Sequence, residues 1–205
     1  MSVLRARDYK SAASPKPPIP CSHIRVHVDD ANAASTLQST LRGHLTWAIG
    51  QGKHREVLAI CIGTDRSTGD SLGPLVGSHL IESGIPDRYV IGTLDEPVHA
   101  ANLSETLKQI SGIHPKPFMI AIDACLGRLE SVGVIVMDRG PVKPGTGVNK
   151  TLPPVGDLHI TGIVNIAGYM EYLVLQNTRL SLVFRMARVI AGSIAPVLLD
   201  IINED

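Results

Sequence analysis

Residues 57–74, which read VLAICIGTDRSTGDSLGP, give the clearest indication of the fold. Residues 57–62 form a short apolar run of the kind found in strands that are covered on both faces. Gly63 ends this run, a polar loop with Asp65 and Asp70 follows, and apolar residues then recur at helical spacing. The stretch therefore predicts a strand, an acidic loop and a helix, the first unit of an open α/β sheet. Ligands bind such sheets beyond the carboxyl ends of the strands, so we expect Asp65 or Asp70 in any site.

The rest of the chain alternates further strand patterns with further helix patterns. Strands are predicted at residues 24–28, 89–94, 118–122, 132–137 and 158–166. One helix is predicted between a cap at Asp29 or Asp30 and Gly50, with apolar residues four apart at 37–49, and others at residues 102–110, 169–176 and 180–202. The connection to the strand at 132–137 is too short for a helical crossover, so this strand is predicted to pair antiparallel at the sheet edge. The order predicts an α/β protein, a three-layer α/β/α sandwich with a mixed, mostly parallel sheet.

Length and composition limit the number of domains. The chain has 205 residues, of which 44% are hydrophobic, enough for one substantial core. Residues 1–22 contain the proline-rich run SAASPKPPIP without apolar periodicity, and they predict a flexible N-terminal tail. The remaining residues, 23–205, are predicted to form a single domain.

Charge, aromatic content and cysteines exclude several classes of partner. Basic and acidic residues number 19 each and aromatics reach only 3%, so we expect neither a nucleic-acid partner nor an anionic membrane. Three cysteines without a disulfide pattern and no apolar leader favour a cytoplasmic protein. The apolar run at 189–199 is too short to cross a bilayer. Apolar residues along the C-terminal helices indicate core packing or a homo-oligomer.

Two acids occupy comparable places in the predicted sheet. Asp70 lies between the first core strand and its helix, and Asp123 directly follows the apolar run FMIAI. If the two strands are parallel neighbours, both carboxylates face one crevice, where one of them is expected to keep a proton near neutral pH. Such a pair can activate water on a peptide carbonyl. Alternatively, Asp70 only caps the following helix and Asp123 only caps the next turn.

Other residues are weaker candidates. Cys125 is a possible nucleophile, although only Arg128 is close enough in sequence to lower the pKa of its thiol. His99 and His159 could join the acids around a metal ion, but no HxxxH or CxxC spacing supports this. The GTGVNK segment at 145–150 lacks the phosphate-loop pattern and is interpreted as a substrate-side loop.

Four segments together resemble the YyaC-type sporulation proteins, relatives of the spore germination protease. They are CIGTDRSTGDSLGP, GTLDEPVHAANL, AIDACLGR and the run from PGTGVNKTLPPVGD to QNTRL, and the resemblance covers residues 55–192. It implies a phosphorylase/hydrolase-like fold and an atypical aspartic endopeptidase that uses no cofactor. It also implies that small acid-soluble spore proteins are substrates, in the mother cell or forespore of a spore-forming bacterium.

The same resemblance assigns roles to particular residues. The two important aspartates of the germination protease lie in segments similar to GDSLGP and AIDACLGR, which match Asp70 and Asp123 here. A segment similar to PGTGVNK implies that Asn149 and Lys150 lie near the cleft. We further expect Asp65 and His159 to position the substrate or polarise its carbonyl.

Two alternatives remain open at this stage. The related hydrogenase-maturation endopeptidases imply a divalent transition metal held by Asp70, Asp123 and His159, although the Gly-Asn opening of their loop is replaced here by Gly63-Thr64-Asp65. The other alternative is a non-catalytic structural or regulatory spore protein that retains the two acids.

Overall fold

A six-stranded mixed sheet forms the centre of the molecule. The computed structural model describes residues 23–50, 52, 56–145, 152–168 and 170–204. The strands are arranged in the order β1-β5-β6-β4-β2-β3. Their bounds are β1 His23–His27, β2 Val57–Cys61, β3 Val90–Ile91, β4 Phe118–Gly127, β5 Val134–Arg139 and β6 Leu158–Ile166. Strands β3, β2, β4 and β6 are parallel, and β5 runs antiparallel to both β6 and β1.

Helices cover both faces of this sheet. They are α1 Ala33–Gly50, α2 Leu72–Glu82, α3 Leu103–Ile113, α4 Glu171–Gln176 and α5 Leu180–Glu204. Helix α2 connects β2 to the edge strand β3, and α3 connects β3 to β4, which lies on the other side of β2. Because both crossovers are right-handed, α2 and α3 lie on opposite faces. Helix α5 packs against both α1 and α2, so these three helices lie on the same face of the sheet. The predicted three-layer α/β/α architecture with a mostly parallel sheet is confirmed.

The core lies between the sheet and the layer of α1, α2 and α5. Every residue of β2 is buried, as its unbroken apolar run predicts. Helix α1 contributes Leu37, Leu41 and Leu45, which are spaced four apart and are no more than 1% exposed. Burying each such side chain stabilises the fold by about 2 kcal/mol. The described residues therefore pack around one continuous hydrophobic cluster.

Helix α5 is the longest element and carries an apolar stripe. Residues 180–203 are long and apolar enough to cross a membrane by length and composition, but 56% of the apolar 18-residue window within them is buried inside the domain. Met186 and Ile190 of the stripe are fully buried against the core. The stripe is thus accounted for by packing within the domain, which is typical of the core helix of a globular protein. Pro196 lies inside α5 and does not start a new helix, one of two expectations for it.

Three predicted strands differ from the observed ones. Strand β4 does not end before Asp123 but runs on to Gly127, because β6 continues to pair with it there. Strand β5 is antiparallel as predicted, yet it does not lie at the edge, since β1 adds outside it. Strand β3 is reduced to two residues. The predicted tail at 1–22 lies outside the described residues.

Candidate active site

The site lies where β2 and β4 part. The two strands pair in parallel up to Cys61 and Ile122, and the amide of Ile62 still donates to the carbonyl of Ile122 at 2.8 Å. Beyond that point β2 turns away, while β4 continues beside β6 alone. The chain leaves β2 towards β3 on one side and leaves β4 towards β5 and β6 on the other. This is the topological switch point at which open α/β sheets bind ligands.

Gly63 makes the turn that places Asp70. Its φ of 146° lies in a region that favours glycine, and a Cβ there would overlap the carbonyl oxygen of Asp70. That carbonyl accepts the amide of Thr64 at 3.1 Å, and the amide of Asp70 donates to the carbonyl of Ser67 at 2.7 Å. The loop at residues 63–71, which carries Asp70 and is named the acid loop, is therefore folded back onto its own first residues.

The acid loop is also held from outside by the C-terminal part of the chain. It contains a short 3-10 helix, Thr68–Ser71, and Gly69 in this helix packs closely against Leu175 of α4 and against Thr178. A side chain at position 69 would meet the Leu175 side chain and backbone. Helix α4 thus forms one wall of the site and supports the loop that carries Asp70.

Asp123 lies in the part of β4 that extends beyond the residues paired with β2. It lies opposite Thr161 of β6 and is followed by a β-bulge between Cys125 and Leu126. Bulges of this kind occur next to active sites, where they redirect side chains. The Asp123 Oδ1 atom accepts the amide of Ala124 at 2.9 Å.

Both carboxyls line one cavity with a volume of about 510 Å³. Its polar residues come from the acid loop, from β4 and β6, from the segment before α3, from the segment after β5 and from α4. They are Thr64, Arg66, Ser67, Asp70, His99, Asp123, Cys125, Lys143, Thr161, Glu171 and Tyr172. Its apolar residues include Leu126, Val142, Leu152 and Leu175. The cavity therefore combines a polar wall with an apolar one, as small-molecule and peptide sites do.

The surroundings of the two acids favour their protonated forms. Burial raises the pKa of Asp123 to about 8, and the charge of Asp70 adds to that rise, although the Ala124 amide opposes it. Burial also raises the pKa of Asp70, and the nearby Ser67 hydroxyl offsets part of this rise. The Ser67 Oγ atom is buried without a hydrogen bond of regular geometry within the described part of the chain. The pair thus carries a proton near neutral pH.

Neither acid acts as a helix cap, which was the alternative interpretation. Helix α2 begins at Leu72 with Ser71 as its N-cap residue, and no side chain makes a capping hydrogen bond there. Asp123 lies within β4 and not at its end. The side chains of Asp70 and Asp123 are therefore directed to the cavity and not to a helix terminus.

Of the residues expected to position the substrate, Asp65 and His159 are described by the structure, and neither lines the cavity. Asp65 is exposed and is absent from the cavity wall. His159 lies on β6, where its Nδ1 atom is hydrogen-bonded to the Gly140 carbonyl at 2.9 Å, away from the acids. Asn149 and Lys150 lie outside the described residues, although Pro144 and Gly145 just before them line the cavity.

The residues do not fit the alternative metal site. Among the residues that the structure describes, no group of three His, Cys, Asp or Glu side chains is placed to hold an ion. The set of Asp70, Asp123 and His159 is not assembled, because the ring of His159 is held by Gly140.

Cys125 lines the cavity but is a poor nucleophile. Burial raises the pKa of its thiol to about 11, and the charge of Asp123 adds to this effect, although Thr161 and Arg25 oppose it. The thiolate is the nucleophilic form, and it is scarce at neutral pH under these conditions.

Several lining residues were not singled out from the sequence. Thr161 could have been found, since it occupies a polar position in the alternating strand 158–166 opposite the predicted acid strand. His99 was considered only as a metal ligand. Glu171 and Tyr172 gave no local signal, because only the packing of α4 against the acid loop brings them to the cavity.

Comparisons with known proteins place the chain among its relatives. It is 53% identical over 166 residues to a protein of Bacillus subtilis (strain 168) named "Uncharacterized protein YyaC", a match that spans 81% of this chain and 79% of that protein. A solved structure, the [NiFe] hydrogenase maturation protease HycI from Thermococcus kodakarensis KOD1, matches with a TM-score of 0.44 and 17% identity over 70% of this chain and 92% of that one. A family model described as "Protein of unknown function (DUF1256)" matches residues 25–193. The chain belongs to this family, and the resemblance to YyaC-type proteins is confirmed.

Proposed function

We propose that this protein is a peptidase in which Asp70 and Asp123 activate water on a peptide bond. One observation carries the proposal: two carboxyls share a cavity at the switch point of the sheet, and burial raises the pKa of Asp123 to about 8 beside Asp70. Perturbed acids in a cavity of this kind are characteristic of catalytic sites.

The two environments divide the roles of acid and base. The pKa of Asp123 is raised by burial and by the neighbouring charge, so Asp123 holds the shared proton near neutral pH. The pKa rise of Asp70 is partly offset by Ser67, so Asp70 is the carboxylate of the pair. Asp70 would take a proton from the attacking water, and Asp123 would give its proton to the carbonyl oxygen or the leaving amine.

The biological setting of the proposal comes from the resemblance. The segments around Asp70 and Asp123 match those that carry the aspartates of the germination protease. We therefore propose a sporulation-associated endopeptidase, cytoplasmic in the mother cell or forespore, with small acid-soluble spore proteins or their peptides as substrates. Asn149 and Lys150 are proposed substrate contacts, because their segment continues directly from cavity-lining residues.

Self-association is a separate part of the proposal. Much of the α5 stripe is buried in the core, but large apolar side chains in and around α4 and at the start of α5 are exposed. They are Met170, Tyr172, Leu173, Leu180 and Phe184, each at least 41% exposed. Light scattering on the purified protein would test for a homo-oligomer, and a monomer at all concentrations would contradict it.

The decisive experiment compares cleavage by matched proteins. Wild type, Asp70→Asn, Asp123→Asn, the double variant and Asp87→Asn would each be incubated with small acid-soluble spore proteins and a spore-extract peptide pool, with and without divalent metals. Asp87 is an exposed acid just before β3, at the opposite end of the sheet from the cavity. Mass spectrometry would identify new chain termini.

New termini made by wild type and Asp87→Asn, and lost in the three site variants, would support the peptidase. We expect Asp123→Asn to remain folded, with stability not reduced by more than about 1 kcal/mol. Cleavage only with added metal would favour a metal-dependent mechanism. No cleavage by well-folded wild type would contradict the proposal and favour the non-catalytic spore protein.

A further inference from the structure

We propose that His99 is a further catalytic residue of this site, a neutral imidazole that donates its Nε2–H to the carbonyl oxygen of the bond being hydrolysed. This role rests on the proposed function. The ring lines the same cavity as Asp70 and Asp123, but it belongs to neither of their elements.

The backbone around His99 is fixed beside the acid loop. Val98 bridges to Ile62 as a parallel extension of the sheet, and its carbonyl accepts the amide of Gly63 at 2.7 Å. The amide of His99 donates to the Oδ1 atom of Asn102 at 2.8 Å. His99 is thus held between the end of a strand and the start of α3, next to the turn that places Asp70.

The hydrogen bonds of the ring determine its tautomer. The Nδ1 atom of His99 accepts the amide of Ala101 at 3.2 Å. A nitrogen that accepts this N–H cannot also carry a proton, so the neutral ring must be protonated on Nε2. Within the described residues, Nε2 has no hydrogen-bond partner. With Nδ1 turned to its own backbone, Nε2–H is the donor that the ring offers to the cavity.

His99 would add a second neutral donor beside the protonated Asp123. Negative charge develops on the carbonyl oxygen when water attacks, and an ionised Asp70 nearby disfavours that charge. A fixed N–H directed at the oxygen stabilises it. The ring and the two acids do not form a group that could share one ion.

Two substitutions distinguish the contribution of the Nε2–H donor from that of the rest of the His99 ring. Gln can place an amide N–H near the position of Nε2, whereas Asn reaches only as far as Nδ1. We expect His99→Asn to lower kcat on a cleaved peptide by about 100-fold or more with KM little changed, and His99→Gln to retain kcat within about tenfold of wild type. Equal losses in both variants, or no loss in either, would overturn the assignment. Urea unfolding would confirm that both variants are folded.

A second measurement works even if no peptide is cleaved. Nitrogen NMR of the histidine-labelled wild type would assign the tautomer of His99, and a titration with N-methylacetamide, the smallest analogue of a peptide bond, would follow its Nε2 signal. An Nε2–H tautomer whose signal shifts when the folded protein is titrated, with no such shift in urea-unfolded protein, supports the donor role. An Nδ1–H tautomer, or an unmoved signal, overturns it. Failure of the peptidase proposal alone appears as a shift without cleavage.

Discussion

Asp70 raises the pKa of Asp123 across the cavity that both residues line, although the two belong to different units of the fold. The parallel pairing of β2 with β4 brings them together, because each acid follows the paired part of its strand. Their mutual repulsion is tolerated since one proton can be shared.

The stability of the protein is expected to fall as the pH rises from about 4 to about 8. The pKa of Asp123 is about 8 in the folded protein and 3.8 as its ordinary value, so between these values the folded state binds more protons than the unfolded state. The free energy of unfolding then decreases by up to about 1.4 kcal/mol per pH unit. Urea unfolding of wild type and Asp123→Asn at several pH values would measure this. The variant should lose most of the slope and Asp87→Asn should keep it; an unchanged slope in Asp123→Asn would contradict the raised pKa.

Removing the charge at position 70 is expected to lower the pKa of Asp123. Asp70→Asn abolishes the repulsion but leaves burial, which is the larger cause, in place. The pKa should therefore decrease modestly and stay above its ordinary value. Carbon NMR of the Asp123 carboxyl, followed through a pH titration of wild type and variant, checks this. A rise, or no change, would show that the two acids do not interact.

Gly63→Ala is expected to destabilise the fold by about 3 kcal/mol or more. The added Cβ would overlap the Asp70 carbonyl oxygen at a φ that favours glycine, so the acid loop must move. The matched control is Gly112→Ala in α3, where an added Cβ meets nothing within 4 Å. That variant should gain up to about 1 kcal/mol from helix propensity. Chemical denaturation of both variants tests the contrast, and equal stabilities would refute it.

Cys125 is expected to react slowly with iodoacetamide near pH 8. Because the pKa of its thiol is about 11, only about one molecule in a thousand carries the thiolate at that pH. In a Cys21→Ser background, alkylation should be about tenfold slower, or more, than that of a free cysteine derivative. Peptide mapping by mass spectrometry distinguishes Cys125 from the buried Cys61. If Cys125 were alkylated as fast as the free cysteine derivative, the raised pKa would be contradicted and Cys125 would again be a candidate nucleophile.

The local parts of this fold could be predicted from the sequence, and the strand neighbours could not. The apolar run before Gly63 and the acidic loop after it define β2 and α2 without tertiary information. The shared cavity of Asp70 and Asp123 was predicted only on the condition that their strands are neighbours. Whether β4 would continue past Asp123 depends on β6, which lies far along the chain. Local sequence patterns do not indicate which distant strand pairs with β4 or how far the pairing extends.

The histidines illustrate the same limit. His159 stands close to the acid strand in the sheet, yet its ring is held by the carbonyl of Gly140. His99 lies in a loop without periodicity, and it reaches the cavity because Val98 extends the sheet beside Ile62. The sequence analysis expected His159 to position the substrate and considered His99 only as a metal ligand. Only the folded structure shows that His99, and not His159, lines the cavity.

The packing of Gly69 against Leu175 and Thr178 has a consequence for the order of events on the ribosome. Asp70 and Asp123 are both synthesised before α4, so a nascent chain that ends before α4 contains both acids without the wall that encloses them. Without that enclosure, the burial that raises the pKa of each acid is incomplete. The unfinished chain thus carries the acids as ordinary ionised carboxylates, and the site matures only when the last third of the protein has been translated.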